Sequence, residues 1–181
     1  MIDQQPFKKP ELKGGLKMNL PIDQISYHKN EIVKILKDLP ENYEDFDILN
    51  VPVSTWRNVF ILDVKPDNEL VVRLTGTAIE DGLGRGCHGL VFSEVVHGPR
   101  SDDVLQAFIN CAEKGWSGIM CQAVKINDPE RILSITAGIK RLYQGQGKRD
   151  IIFGLMYISY LPHEEYEGMG FASEIISEIG A

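Results

Sequence analysis

The connections between the strand-like stretches of this chain are what most limit its fold. Residues 59–65 and 69–75 are separated only by the turn signal Pro66-Asp67-Asn68. Residues 118–126 and 131–143 are separated by a turn around Asp128-Pro129-Glu130, and a glycine-bearing loop, 144–150, leads to a last stretch, 151–160. A parallel crossover needs a dozen or more residues, so these neighbours must pair antiparallel. Only the connection from 76 to 117 is long, and it carries helical patterns. The expected fold is therefore α+β: a five-stranded antiparallel sheet with helices inserted between strands 2 and 3.

The residues fill in that frame. Leu70, Val72 and Leu74 alternate with Val71, Arg73 and Thr75; Leu133, Ile135, Ala137 and Ile139 alternate with Ser134, Thr136 and Lys140. Stretches 59–65 and 151–160 are apolar on both faces, as expected of central strands covered twice. In the long connection, Ser101 caps a helix whose stripe is Val104, Leu105, Phe108, Cys111 and Ala112, and Gly115 stops it. Short helical pieces are expected around 78–81 and 92–95. An N-terminal amphipathic helix is expected over 26–39, capped by Ser26 and stopped by Pro40. Its stripe of Ile32, Ile35, Leu36 and Leu39 must dock on the outer sheet face or on a second subunit. We take it as the element of a homodimer. Residues 1–24 read as an irregular leader, 25–160 as the domain, and 161–181 as an acidic tail with a short helix carrying Phe171, Ile175, Ile176 and Ile179. Trp56 is expected to anchor the polar segment before the first strand.

Charge and composition narrow the function. The net charge is −7 over 181 residues, and five Glu with no Lys or Arg fall in 161–181. An acidic chain is a poor phosphate neutraliser, so no nucleic-acid partner is expected. No apolar run approaches the ~20 residues of a membrane span, and the leader lacks a signal-peptide apolar core. The chain reads as soluble and cytoplasmic. Cys87, Cys111 and Cys121 fit no zinc spacing and are expected as reduced thiols. His163-Glu164-Glu165 places adjacent side chains that cannot all face one ion, so no metal site is expected.

In this order of elements the chain resembles a PAS domain over residues 56–160. The features that carry the resemblance are the first hairpin, the run Gly76-Thr77 to Gly89, the helix 101–114 and the three closing strands. It is similar to a divergent bacterial branch in which a Trp leads into the hairpin and a Gly-Thr step follows strand 2, here Trp56 and Gly76-Thr77. The resemblance implies a sensory or regulatory module without enzymatic activity. Such a module dimerises through an N-terminal helix and binds a small ligand between sheet and inserted helices, or a signalling protein partner. The residues after 160 carry no kinase, cyclase or DNA-binding region, so output is expected through a partner or through association.

On that resemblance the ligand-lining candidates are Phe60, Leu74, Phe92, Phe108, Ile119 and Ile135, which otherwise read as core, with Arg85 and His88 at the mouth as an anion site. Haem-binding members use a His from the inserted helices; His88 and His97 fall in or near that region and read first as loop or capping residues. Gly86-Cys87-His88 does not match the Asn-Cys-Arg-like motif of flavin-linked members, so no cofactor is identified. Gly84-x-Gly86-x-x-Gly89 matches the dinucleotide pattern without a strand before it or a helix after it. No nucleophile elbow or triad surrounds the serines or cysteines, and no catalytic residue is assigned. The alternative is a small-molecule enzyme, isomerase- or dehydratase-like, on a cone-shaped α+β fold. A pocket where an Asp and a His converge would mark it.

Overall fold

The structure, a computed structural model, describes residues 21–96, 101–115, 117–125, 131–145, 150–162 and 175–178. Helix α1 (Pro21–Asp38) is followed by three 3-10 turns, Tyr43–Asp45, Ile48–Asn50 and Val53–Asn58. Strands β1 (Val59–Val64) and β2 (Leu70–Thr75) form the hairpin. Helices α2 (Thr77–Leu83), α3 (Phe92–Val95) and α4 (Ser101–Lys114) fill the long connection. Strands β3 (Gly118–Lys125), β4 (Arg131–Leu142) and β5 (Ile151–Pro162) follow, and a short β6 (Ile175–Glu178) comes last.

Every strand pairing is antiparallel, and the order is β2-β1-β5-β4-β3-β6. The first and fifth strands thus lie side by side in the middle, with Phe60 opposite Gly154 and Leu62 opposite Ile152. Their two-sided apolar character has that cause. Ile151, Ile152, Phe153 and Leu155 are all fully buried, alternating between the two faces.

A separate core forms on each face. On the inner face, Phe60, Leu62 and Val72 meet Ile79, Phe92, Phe108 and Cys111 of the inserted helices. On the outer face, Ile25, Ile32 and Leu36 of α1, with Leu39 just past its end, meet Ile119, Phe153, Leu155 and Tyr157. Gly138 of β4 lets α1 approach: a Cβ there would lie 2.1 Å from Ile32 Cγ2 and 3.0 Å from a Leu36 methyl.

Three details depart from the sequence reading. Helix α1 begins at Pro21, well before Ser26, because proline at a first helical turn forfeits no needed N–H. The stripe assigned to a homodimer is buried on the chain's own sheet, so it is not a free dimer surface. The sheet gains a sixth strand: 175–178 is extended, not helical, and pairs with the edge of β3 at Gly118–Met120. Adjacent β-branched Ile175 and Ile176 favour that conformation once an open edge is within reach. The tail is therefore partly a sheet element. Residues 1–20, His97, His163 and Phe171 lie outside the described residues.

The Trp56 and Gly76-Thr77 pair has a structural basis. Trp56 Nε1 donates to Val51 O at 2.9 Å, and the Gly76 N–H donates to Val59 O at 2.8 Å. A Cβ on Gly76 would sit 2.4 Å from the Arg57 carbonyl oxygen, which leaves no room for a side chain where β2 turns into α2.

Candidate functional site

The inner face divides into a closed end and a less covered end. At the closed end Phe108 lies between two rings, with centroids 4.3 Å from Phe92 and 5.9 Å from Phe60. All three are buried, and Phe60 lies over Gly154, where a Cβ would meet its ring at 2.1 Å. Three of the expected lining residues therefore do come together, as a packed aromatic cluster.

Toward the other end, Ile135, Met156, Ile158 and Tyr160 share the inner face of β4 and β5. Ile135 pairs with Ile158, and Ala137 with Met156. All four named shelf side chains are only half-buried, as is Leu83 of α2. Gly82 brings α2 down onto Ile158. Of the expected set, Ile135 alone sits on this shelf. Nothing in the sequence singles out Met156, Ile158 and Tyr160, because an apolar strand looks the same in sequence whether its cover is complete or partial.

The remaining candidates disperse. Ile119 packs with Cys121 on the α1 side, since it pairs with Gly138 and shares that residue's face. Leu74, at the end of β2, is 44% exposed. Arg85 is exposed, and its Nη2 donates to Glu94 O at 2.9 Å. His88 is exposed, with Nδ1 2.6 Å from Arg73 O. A carbonyl can only accept, so this nitrogen carries the proton. Gly89 N donates to Val72 O, and Val72 N donates to Leu90 O, so His88 and the residues after it cover the middle of the β2 edge. Arg85 and His88 thus hold loops rather than converge on an anion. Gly84, at φ 70, ends α2, so the glycine run follows a helix, the reverse of a dinucleotide turn.

The outer face carries a polar fastening that spans the chain. Tyr157 Oη donates to Glu31 Oε2 at 2.6 Å, and the His28 ring stacks on Tyr157 at 4.2 Å. At the other end of α1, Lys140 Nζ donates to Leu36 O at 3.2 Å and Leu39 O at 2.6 Å, satisfying carbonyls the helix leaves open. Burial pushes the Tyr157 hydroxyl well above the ordinary tyrosine range, and its bond to Glu31 adds to that. Burial lowers His28, with the Glu31 carboxylate opposing.

Beside this fastening a groove of about 430 Å³ runs between α1 and the segment 46–52. Ile35, Leu39, Phe46 and Val51 give it an apolar floor, Tyr27 stands exposed at its edge, and Glu31, Lys34, Asp38 and Asp47 line it with charge.

The depressed His28 gives a signed expectation. Unfolded His28 takes up its proton near pH 6.5 and the folded residue does so lower, so the unfolded chain binds more protons in between. Stability contributed by α1 should therefore be full above that range and decline as pH falls through it. A thermal melt at about pH 7.5 and about pH 5.5 should show a drop that shrinks in His28→Gln. An equal drop in both proteins would assign the effect to other groups.

The thiols are poor nucleophile candidates. All three cysteines are buried, and burial pushes Cys111 up to about 12. Among the described residues no three His, Cys, Asp or Glu side chains group to hold a metal, and no helix is long and apolar enough to cross a membrane. No protein-family model, curated protein or solved structure matches the chain.

Proposed function

We propose that this chain is a PAS-like sensory or regulatory module, not an enzyme, which binds a small apolar ligand at the inner-face shelf and passes its state to a protein partner through α1. One observation carries the reading. Met156 and Ile158 face the shelf, while Tyr157 between them faces α1 and holds Glu31. Alternation along one strand thus puts the ligand surface and the helix fastener on successive residues. A molecule pressing on Met156 and Ile158 shifts the backbone that positions Tyr157. The central pairing of β1 with β5 and the helices between β2 and β3 support the family likeness.

The enzyme alternative asks for an Asp and a His converging on a pocket; the pair that comes nearest has a Glu in the acid's place. His28 and Glu31 do lie together, one helical turn apart, but His28 lies flat on Tyr157 and the Glu31 oxygen accepts the Tyr157 proton. That arrangement fastens a helix.

The test is a native mass spectrum and absorbance scan of freshly purified protein, then titration with the apolar dye anilinonaphthalene sulfonate. A retained molecule, or saturable dye binding that Met156→Lys weakens by about tenfold or more, is the expected result. Dye binding that is unsaturable, or unchanged in Met156→Lys, would remove the shelf from consideration.

A further inference from the structure

We infer that the groove between α1 and the segment 46–52 docks a basic amphipathic helix of a partner protein. The inference deepens the partner half of the proposed function and rests on it.

Shape comes first. The groove follows α1 from Tyr27 to Leu39, twelve residues on, or about 18 Å at the helical rise. That length accepts roughly three turns of a helix. Its floor is apolar, while its rim is polar, the arrangement by which a groove takes one face of an amphipathic helix. Apolar exposure continues around it. Tyr27 is 59% exposed, and Leu49 and Val53, next in the chain to the lining residues Asn50 and Pro52, are 71% and 72% exposed. Exposed apolar side chains on the segment that walls the groove add to the surface a partner can cover there.

Charge then selects the partner. From Asp38 to Trp56 the sequence carries Asp38, Glu41, Glu44, Asp45 and Asp47 and no Lys or Arg. All five carboxylates are on exposed residues. Lys34 opposes them from the α1 side, and the lining groups Glu31, Asp38 and Asp47 still leave the groove net acidic. An acidic rim steers and orients a segment bearing Lys or Arg and repels an acidic one. Tyr157 sits under the same helix that forms one wall, so a partner here reads the state of α1 directly.

The experiment uses the full chain and two labelled synthetic peptides of about 18 residues, each with leucine at helical spacing. One carries lysine at the remaining positions and the other glutamate. Fluorescence anisotropy is read at about 50 mM and about 300 mM salt. The lysine peptide is expected to bind more tightly than the glutamate peptide by about a hundredfold or more, and more weakly at the higher salt. Asp38→Lys with Glu41→Lys, and separately Leu49→Ser with Val53→Ser, should each weaken it by about tenfold. Lysine at position 38 suits a helix C-terminus, so the first variant is expected to fold.

Equal binding of the two peptides overturns the inference, as does binding that neither variant alters, which would place the peptide on the acidic tail instead. A third peptide, residues 1–20 of this chain, tests an occupant in cis; if only that one binds, the partner assignment falls. Self-association with concentration that Asp38→Lys abolishes, with no peptide binding, assigns the groove to a second copy and overturns it too. The dye titration is repeated on the same proteins. Wild-type protein that binds the dye but not the lysine peptide sinks this inference alone, and wild-type protein that binds no dye counts against the shelf.

Discussion

Gly138→Val is expected to displace α1 from the sheet. A Cβ at this position lies 2.1 Å from Ile32 Cγ2, well inside any real contact, and both residues are buried. Overpacking a core of this kind costs about 1–3 kcal/mol when neighbours can shift. Here the nearest atom is on a β-branched side chain in a helix, which has one preferred rotamer and little freedom to turn away. The cost should therefore reach the top of that range or pass it. Amide exchange over α1 should quicken by more than it does in β1, β2 or α4. The contact itself is tested by a cycle with Ile32→Ala, which removes the obstructing methyl. The double variant should be less destabilised than the two single changes added together. Strict additivity would mean that Gly138 and Ile32 do not meet.

The second large effect is Phe108→Ala. Its ring is 1% exposed and flanked by the rings of Phe60 and Phe92, so truncation leaves a void that these packed neighbours close only in part. Changes of this kind cost about 3–5 kcal/mol. The denaturation midpoint should fall sharply with little change in slope. The measurement also separates two views of the aromatic cluster. A packed core loses the full amount. A ligand space with Phe108 on its wall would lose less than about 1 kcal/mol, since the ring would have had few neighbours to lose.

What could be read from the sequence follows physical lines. Strand pairing sense came from loop length, and the central place of β1 and β5 came from apolar residues on both faces. Both signals are local. The start of α1 is ambiguous in sequence, because Ser26 is a good cap residue while Pro21 is equally at home at a helix start and lies earlier. Ile119 went to the wrong face because β3 is rich in apolar residues throughout, and alternation then gives no hint of which side is which. The aromatic cluster was legible, because Phe60, Phe92 and Phe108 lie on elements that must face each other once the helices cover the sheet. The Tyr157–Glu31 bond joins residues 126 positions apart, and the groove needs α1 and the 3-10 turns placed in space. Nothing in either local stretch announces them.

The loop that lies against β2 sets a limit on how copies of this chain can assemble. Val72 has both of its outward main-chain groups taken by Gly89 and Leu90, and His88 holds the neighbouring carbonyl of Arg73. A head-to-tail filament needs two live edges on every subunit, one to give and one to receive. With the β2 side blunted, strand-to-strand addition has a single end to work from, near β3 and β6. Pairing two such edges around a twofold axis would use up both of them. Among the described residues, strand addition is therefore confined to the β3–β6 side of the sheet, with the middle of the β2 edge closed by loop main chain as well as by a charged side chain, Arg73.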